Sequence, residues 1–272
     1  MQGDAWHTFE FVNQILLAPL LANTRQRALF KATNIAHERL FLDLVGRVIQ
    51  PSHIFEIGAH EAATSLELSR RLKESVCVAF EADLEVFAHF KIEFEAAPAP
   101  GNFRYINCAI SDHDGCSIFH RQLSNNDVGG GALIRNNSLY RKPGVGYEKI
   151  CVNCHRLDTL AAELGSITSC ALKIDAEGLT YQVLSGAPNL LDVCVAIYAE
   201  VEDYEIWEEQ KTVFDVYELL DARGFVPVSR DVETPGQYNV LWLRYEDALL
   251  RKFRSRLALY YSELQKIAAM SA

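Results

Sequence analysis

The sequence predicts an α/β fold built on a mostly parallel sheet, and three observations carry that prediction. From residue 53 onward, short apolar runs of strand length alternate with longer amphipathic stretches, an order that gives parallel strands joined by right-handed crossovers. The first such unit, "IFEIGAHEAATSLELS" (54–69), runs from a strand through a loop with one glycine, Gly58, into a helix. At 272 residues the chain accommodates one generous domain of this kind with additions, whereas two equal domains would be cramped.

Residues 5–48 read as two or three helices. Phe9, Phe11, Val12, Ile15, Leu16, Leu20 and Leu21 form an apolar stripe, and Pro19 is expected to kink or end the first helix. "RALFKATNIAHERLFLDLVGRVI" repeats apolar residues at three- and four-residue spacing until Pro51 and Ser52 break the pattern. "HIFEIG" is then a short buried strand, "EAATSLELSRRLK" a helix with Leu66, Leu68 and Leu72 towards the sheet, and "SVCVAFEAD" a second strand. "LEVFAHFKIEFEAA" is a second helix and "FRYINCAI" a third strand.

Residues 111–155 interrupt the alternation. "SDHDG" is a turn, "CSIFHRQL" a strand, and the glycine- and asparagine-rich stretch around Gly129–Gly131 reads as a mobile loop. The alternation then resumes with "LDTLAAELG" (helix), "SCALKIDAEG" (fourth parallel strand, ending in acids) and "TYQVLSGAPNLL" (helix, ended by Gly186 and Pro188). "CVAIYAEVE" is a fifth strand and "KTVFDVYELLDARGF" a helix with a glycine stop. "FVPVS" and "YNVLWLRY" make a closing antiparallel pair. Leu249, Phe253, Leu257, Tyr260, Leu264 and Ile267 mark a last helix, which either packs on the N-terminal helices or forms a homodimer seam. The resulting division is a helical extension (1–50), a central domain (51–246, with 111–155 inserted as a lid) and a C-terminal helix (247–272).

Charge and cysteine usage exclude several functions. A net charge of −10, from 26 basic and 36 acidic side chains, argues against a nucleic-acid partner, whose phosphates are met by clustered Lys and Arg. "MQGDAWHTFE" lacks the features of a signal peptide. The run "ILLAPLLA" falls far short of the roughly 20 residues that span a bilayer. No membrane span and a cytoplasmic location are therefore expected. The seven cysteines fit: Cys77, Cys108, Cys170 and Cys194 lie in strands and read as free buried thiols. "CVNCH" (151–155) has the spacing of c-type haem attachment. Without an export signal it reads instead as a strand and turn, and no second ligand pair completes a zinc site.

In an open parallel sheet, ligands bind beyond the carboxyl ends of the strands. The residues there are Glu56 to His60, Glu81 to Asp83, Asn107 to Asp112, Asp175 to Gly178 and Glu200 to Asp203, an acidic rim. Glu81, 23 residues after Gly58 at the end of the second strand, is placed to accept hydrogen bonds from both ribose hydroxyls of an adenosine. The glycines then choose between cofactors. A pyrophosphate needs close backbone approach, hence G-x-G-x-x-G. Here Gly58 is followed by Ala59, His60, Glu61, Ala62 and Ala63, so two glycines are missing and Glu61 is repulsive. S-adenosylmethionine carries a sulfonium cation and no phosphate, and suits one glycine and an acidic rim.

These stretches resemble the FkbM family of S-adenosylmethionine-dependent methyltransferases. "FEIGAHEAATS" resembles the family's D/E-x-G-A-N-x-G-x-x-S loop, "AFEAD" its F-E-P-x strand end, and "INCAISDHDG" its N-x-A-x-S-D-x-x-G turn. "HRLDTL" and "LKIDAEGLTYQVLSGAPNLL" resemble the L-D-x-L and L-K-I-D-V-E-G pair. His60 stands where the family usually has Asn, Ala62 where it has Gly, Ala82 where it has Pro, and Thr180 where Glu is common. The resemblance implies a class I methyltransferase fold: a Rossmann-like, mostly parallel seven-stranded sheet with helices on both faces. It also implies methyl transfer to a hydroxyl, in a glycan sugar or a natural product. The competing readings are a nicotinamide-dependent oxidoreductase and a non-catalytic member that binds cofactor or a partner.

On that reading Glu56, Gly58, Ala59 and His60 serve the methionine and ribose side, and Thr64 and Ser65 cap the following helix or bond the methionine carboxylate. Glu81 takes the ribose, with Ala82 beside it also against the cofactor; Ala109 and Asp112 meet the adenine, unless Asp112 only forms its turn. Lys173, Asp175 and Glu177 alternate in "LKIDAEG" and so share one side of the strand and its extension. A lysine inside an apolar strand needs a partner. It is either a structural pair with an acid or it tunes Asp175 or Glu177 as the base that receives the hydroxyl proton. Glu200 and Glu202 join them if they converge, and the same acids would then suit a divalent cation. No metal ligand is assigned. His60 and His155 are the other candidate bases, and residues 124–146, with Tyr140, Arg141 and Tyr147, are the candidate acceptor lid.

Overall fold

The computed structural model describes residues 4–22, 27–97, 99–122 and 137–270. Two helices open the chain, α1 (Asp4–Leu21) and α2 (Arg27–Leu44), and α2 ends in a π-helical turn, Val45–Ile49. There follow β1 (His53–Ile57), α3 (Ala63–Arg71), β2 (Val76–Glu81), α4 (Leu84–Ala96) and β3 (Phe103–Asn107). Then come β4 (Ala109–Ser111), β5 (Gly115–Gln122), β6 (Tyr147–Arg156), α5 (Leu157–Ala162) and β7 (Cys170–Ile174). The chain continues through α6 (Thr180–Ser185), α7 (Pro188–Val193), β8 (Cys194–Glu202), α8 (Val213–Asp221) and β9 (Phe225–Arg230). It closes with β10 (Gln237–Arg244), α9 (Tyr245–Ala248) and α10 (Arg251–Ala269).

Seven strands form the main sheet in the order β3-β2-β1-β7-β8-β10-β9. All neighbours are parallel except β10, which runs antiparallel to both β8 and β9. The strand order reverses direction between β1 and β7, the crevice where α/β sheets bind ligands. Every residue of β1 is buried, as expected for a strand covered on both faces. Alternate residues feed two cores. Phe55, Ile57, Leu172 and Ile174 face one, with Val216 and Leu220 of α8. Ile54, Ala171, Ala196 and Tyr198 face the other, with Phe41 of α2 and Tyr260 and Leu264 of α10. The C-terminal helix therefore packs on the N-terminal one.

Several elements differ from the sequence reading. "FRYINCAI" is two strands. β3 ends at the sheet edge, where the Asn107 side-chain amide donates to the carbonyls of Glu81 (2.8 Å) and Ala82 (3.2 Å). β4 then joins a separate three-stranded sheet, β4-β6-β5. "TYQVLSGAPNLL" is also two helices, with Pro188 in the first turn of α7, where its missing N–H is not needed. Gly186 between them touches the chain so closely that a Cβ would lie 2.1 Å from the Ser111 carbonyl oxygen. Pro19 neither ends nor precedes the end of α1 by more than two residues, and it is solvent-exposed. Of the α1 stripe, Phe9 and Leu20 are buried, joined by Trp6 and Leu17, while Phe11, Val12 and Ile15 are exposed.

Cys77, Cys108, Cys170 and Cys194 are free and buried. Cys116 and Cys151 bridge β5 to β6 with their Cα atoms 6.2 Å apart, within disulfide reach. In "CVNCH", Cys151 is exposed and Cys154 buried, on opposite faces of β6, so the two sulfurs do not converge on a haem. No described helix is long and apolar enough to cross a membrane. Residues 124–136 of the candidate lid lie outside the described residues. Its remainder is pinned, with Arg141 paired to Glu208 (2.5 Å) and the Tyr147 hydroxyl accepting from Lys142 N (2.9 Å).

Candidate active site

A cavity of about 540 Å³ opens at the carboxyl ends of β1, β2, β7 and β8, within the size range of small-molecule sites. The loop after β1 forms its floor. Gly58 has φ +73°, and a Cβ there would sit 1.9 Å from the Asp175 carbonyl oxygen. Asp175 N in turn donates to Ile57 O (2.9 Å), so the β1 and β7 loops are laced together at a position that tolerates no side chain. His60 (φ +46°) and Ala62 (φ +52°) are also left-handed. The departures from the family pattern therefore fall where Asn and Gly adopt the backbone most easily. His60 holds its place by other means. Its N–H donates to Glu81 (2.9 Å), its carbonyl accepts from the Tyr105 hydroxyl (2.5 Å), and its ring pairs with Glu61 and packs on Phe90.

Glu81 is buried at the end of β2, with one oxygen accepting from His60 N and the other from Asp83 N (2.8 Å). Burial pushes its carboxyl up to about 7, against the opposing pull of those two N–H donors. Asp83 caps α4 and receives a two-pronged bond from Arg121 of β5 (2.9 and 3.0 Å). That fork docks the inserted hairpin against the β2 end. Ala82, Val86, Ala109, Ile110, Phe119 and Leu139 line an apolar slot beside it.

Lys173 is held by partners outside its own strand. Its ammonium lies 3.2 Å from Glu38 of α2, 3.4 Å from Glu56 of β1 and 3.0 Å from the Thr64 hydroxyl. Burial lowers its pKa, but Glu56, Glu38 and Asp175 outweigh burial and leave it raised. It is thus a permanent cation. Glu56 also accepts from Ser65 N (2.8 Å), so the carboxylate of β1 caps α3. Thr64 and Ser65 are buried behind the cavity and do not line it. Asp112 lies outside it as well, bonded to His113 (2.9 Å) and Ser111 (3.3 Å), as does His155, 3.5 Å from Asp114. Glu56, Gly58, Ala59, His60, Glu81, Ala82, Ala109, Lys173, Asp175 and Glu177 do line the cavity.

Opposite the apolar slot the wall is acidic: Asp175 and Glu177 after β7, Glu200 on β8, and Glu233 between β9 and β10. Burial, then the charge of Asp175, pushes Glu177 up to about 8. Glu200 is raised well above the usual range by burial and by Glu177 and Asp175. Glu202 is next to the wall, bonded to Gln210 and raised to about 7 mainly by burial. These acids bind protons in the folded state that they release near pH 4.5 when unfolded. Their contribution to stability is present at low pH and lost as pH rises through about 7 to 8. The melting temperature should therefore fall by several degrees between about pH 6 and pH 8.5 in a calorimetric series. A flat or rising profile would contradict this wall.

The wall also contains residues that the sequence reading missed. Asn34, Ile35 and Glu38 bring α2 into the cavity, Phe119 comes from β5, Glu233 from the connection between β9 and β10, and Asn239 from β10, while Asn137 and Ser138 belong to the candidate lid.

Residues 56–227 match the sequence model of the methyltransferase FkbM domain, more than half of the chain. The chain belongs to the FkbM methyltransferase family. No curated protein matches it. Among solved structures it is similar to a precorrin-6y C5,15-methyltransferase from Geobacter metallireducens (10% identity, 76% of this chain and 88% of that one, TM-score 0.43). A magnesium protoporphyrin IX methyltransferase from Synechocystis, with bound SAM, is similar at 8% identity (78% and 79%, TM-score 0.43). The N-terminal domain of EvdMO1, crystallised with SAH and D-fucose, is similar at 12% identity (77% and 82%, TM-score 0.43).

The fold is that of a class I methyltransferase, and the family's cofactor is S-adenosylmethionine, not a nicotinamide dinucleotide. The cavity fits it. A buried acid ends β2, an apolar slot adjoins it, and the His60 Nε2 atom is buried without a partner among the described residues.

Proposed function

We propose that this methyltransferase O-methylates a hydroxyl, in a sugar of a glycan or in a natural product, and that residues 51–246 form its catalytic domain. The observation that carries this reading is the acidic wall beside Gly58. Asp175 is exposed to the cavity, and its backbone packs on the glycine of the cofactor loop. A carboxylate there is placed to accept the proton of an attacking hydroxyl. Bound S-adenosylmethionine would supply a methyl group already activated by its sulfonium. Glu81 would hold the ribose, Ala82, Ala109 and Phe119 the adenine, and the loop from Gly58 to His60 the methionine end. Alignment and exclusion of water fall to α2 and the inserted hairpin, which close the cavity from its sides.

The test is titration with S-adenosylmethionine followed by an acceptor screen of polyhydroxylated sugars, read as S-adenosylhomocysteine formed and O-methyl product. Glu81→Ala should weaken cofactor binding about 10- to 100-fold, the worth of hydrogen bonds to a charged group. Methyl transfer to nitrogen or carbon, with no O-methyl product, would overturn the assignment.

A further inference from the structure

The acidic wall is larger than proton removal requires. One carboxylate suffices as a base, yet Asp175, Glu177, Glu200 and Glu233 all line the same side of the cavity. The cationic side chains around it answer this charge only in part. Lys173 is committed to Glu38 and Glu56. Lys142, seated over the Trp207 ring 4.1 Å from its centroid, draws the Glu177 and Glu202 carboxyls down, but burial and the Asp175 charge outweigh it at Glu177 and burial outweighs it at Glu202.

A second observation points to a ligand. Glu177 Oε2 is buried and has no hydrogen-bond partner among the described residues. Leaving a buried carboxylate oxygen unpaired costs about 1–3 kcal/mol or more, so such an atom marks a place where a donor arrives. Glu200, 6% exposed, offers one oxygen to Gln237 (3.0 Å) and faces the same cavity.

Resting on the methyltransferase reading of this cavity, we propose that the acceptor carries a protonated amino group as well as the hydroxyl that is methylated. The ammonium sits among Glu177, Glu200 and Glu233, and Asp175, nearest the cofactor loop, is left for the hydroxyl. The chemical class is a hydroxylated amine, such as an amino sugar or an aminated natural product. A charge-assisted N–H···O bond from the ammonium gives Glu177 Oε2 the partner it lacks, with Glu200 and Glu233 lining the same wall. A bare divalent cation, which needs several oxygens around one point, matches less well. Among the described residues, no group of three His, Cys, Asp or Glu side chains is arranged to hold a metal ion.

The experiment is calorimetric titration of the full chain, saturated with S-adenosylhomocysteine, with glucosamine and its 3-amino and 6-amino isomers. Each is compared with its N-acetyl derivative, which keeps the remaining hydroxyls and loses the charge. At least one amine should bind about tenfold or more tightly than its acetylated form. Glu177→Gln and Glu233→Gln should each erase that preference while leaving S-adenosylhomocysteine affinity within about twofold. Equal binding of amine and amide, no binding of any amine, or displacement of the amine by magnesium would overturn the proposal. O-methylation of neutral sugars with no gain from an amine would sink the ammonium site alone. Failure to bind S-adenosylhomocysteine at all would instead sink the functional reading beneath it.

Discussion

Lys173→Met is expected to lower stability by about 3–5 kcal/mol, the cost of stranding a buried charge whose partner is removed. Glu56 is 3% exposed, and its hydrogen-bond and ion-pair partners among the described residues are Ser65 N and Lys173. Methionine fills similar volume but leaves that carboxylate facing Glu38 with no cation between them. The expected drop in melting temperature is about 10 °C for a chain of this size. The double variant Lys173→Met/Glu56→Gln should recover most of the loss, because a neutral amide still accepts from Ser65 N. The cycle also separates two roles. If Lys173 mainly positions α2 and α3 through Glu38, Glu56 and Thr64, the double variant regains stability and cofactor binding together. If Lys173 mainly tunes Asp175, stability returns while the pH profile of turnover stays displaced. A Lys173→Met protein that melts within about 1 °C of the parent would refute the network as a stabilising unit.

That network shows where sequence reasoning succeeds and where it stops. A lysine in "ALKI" announces by its type that it needs an anion, and neighbouring acids in "KIDAEG" are the only candidates a linear reading offers. The true partners are register neighbours across the sheet and on α2: Glu56 pairs with Lys173 between β1 and β7, and Glu38 lies 135 residues away in sequence. Parallel pairing is a tertiary choice that local pattern does not encode. The Gly58 loop and Glu81 were legible because their meaning is local, a turn and a strand end. Asp112 carries two readings in the sequence, an adenine contact or a turn-former. Its side chain is bonded to His113 and Ser111 within the "SDHDG" turn and does not line the cavity. The wall contributed by α2 and Glu233 was illegible for the same reason as Glu38: an amphipathic helix shows which face is apolar, not which end covers a cavity. The division of "FRYINCAI" depended on a side chain, Asn107, that ends one ladder by satisfying two carbonyls of the neighbouring strand.

Asp175→Asn is expected to lower turnover by about 10²- to 10⁴-fold, the usual worth of a positioned general base, with little change in melting temperature because the residue is exposed to the cavity. The pH profile carries the sharper test. Glu177 is held up to about 8 by burial and by the adjacent Asp175 charge. Acceptor binding or proton removal that needs ionised Glu177 therefore gives kcat/KM a limb that rises with pH through that region. Glu177→Gln should abolish the limb. Asp175→Asn should keep it but move it to lower pH, because the substitution removes one of the charges that oppose ionisation of Glu177. The two variants thus make opposite demands on the same curve. A limb that stays in place in Asp175→Asn would show that the two carboxylates do not interact across the cavity. A turnover unchanged in both would remove them from the mechanism, and the proton would then have to leave by way of solvent or another group, such as His60 Nε2, which has no partner among the described residues.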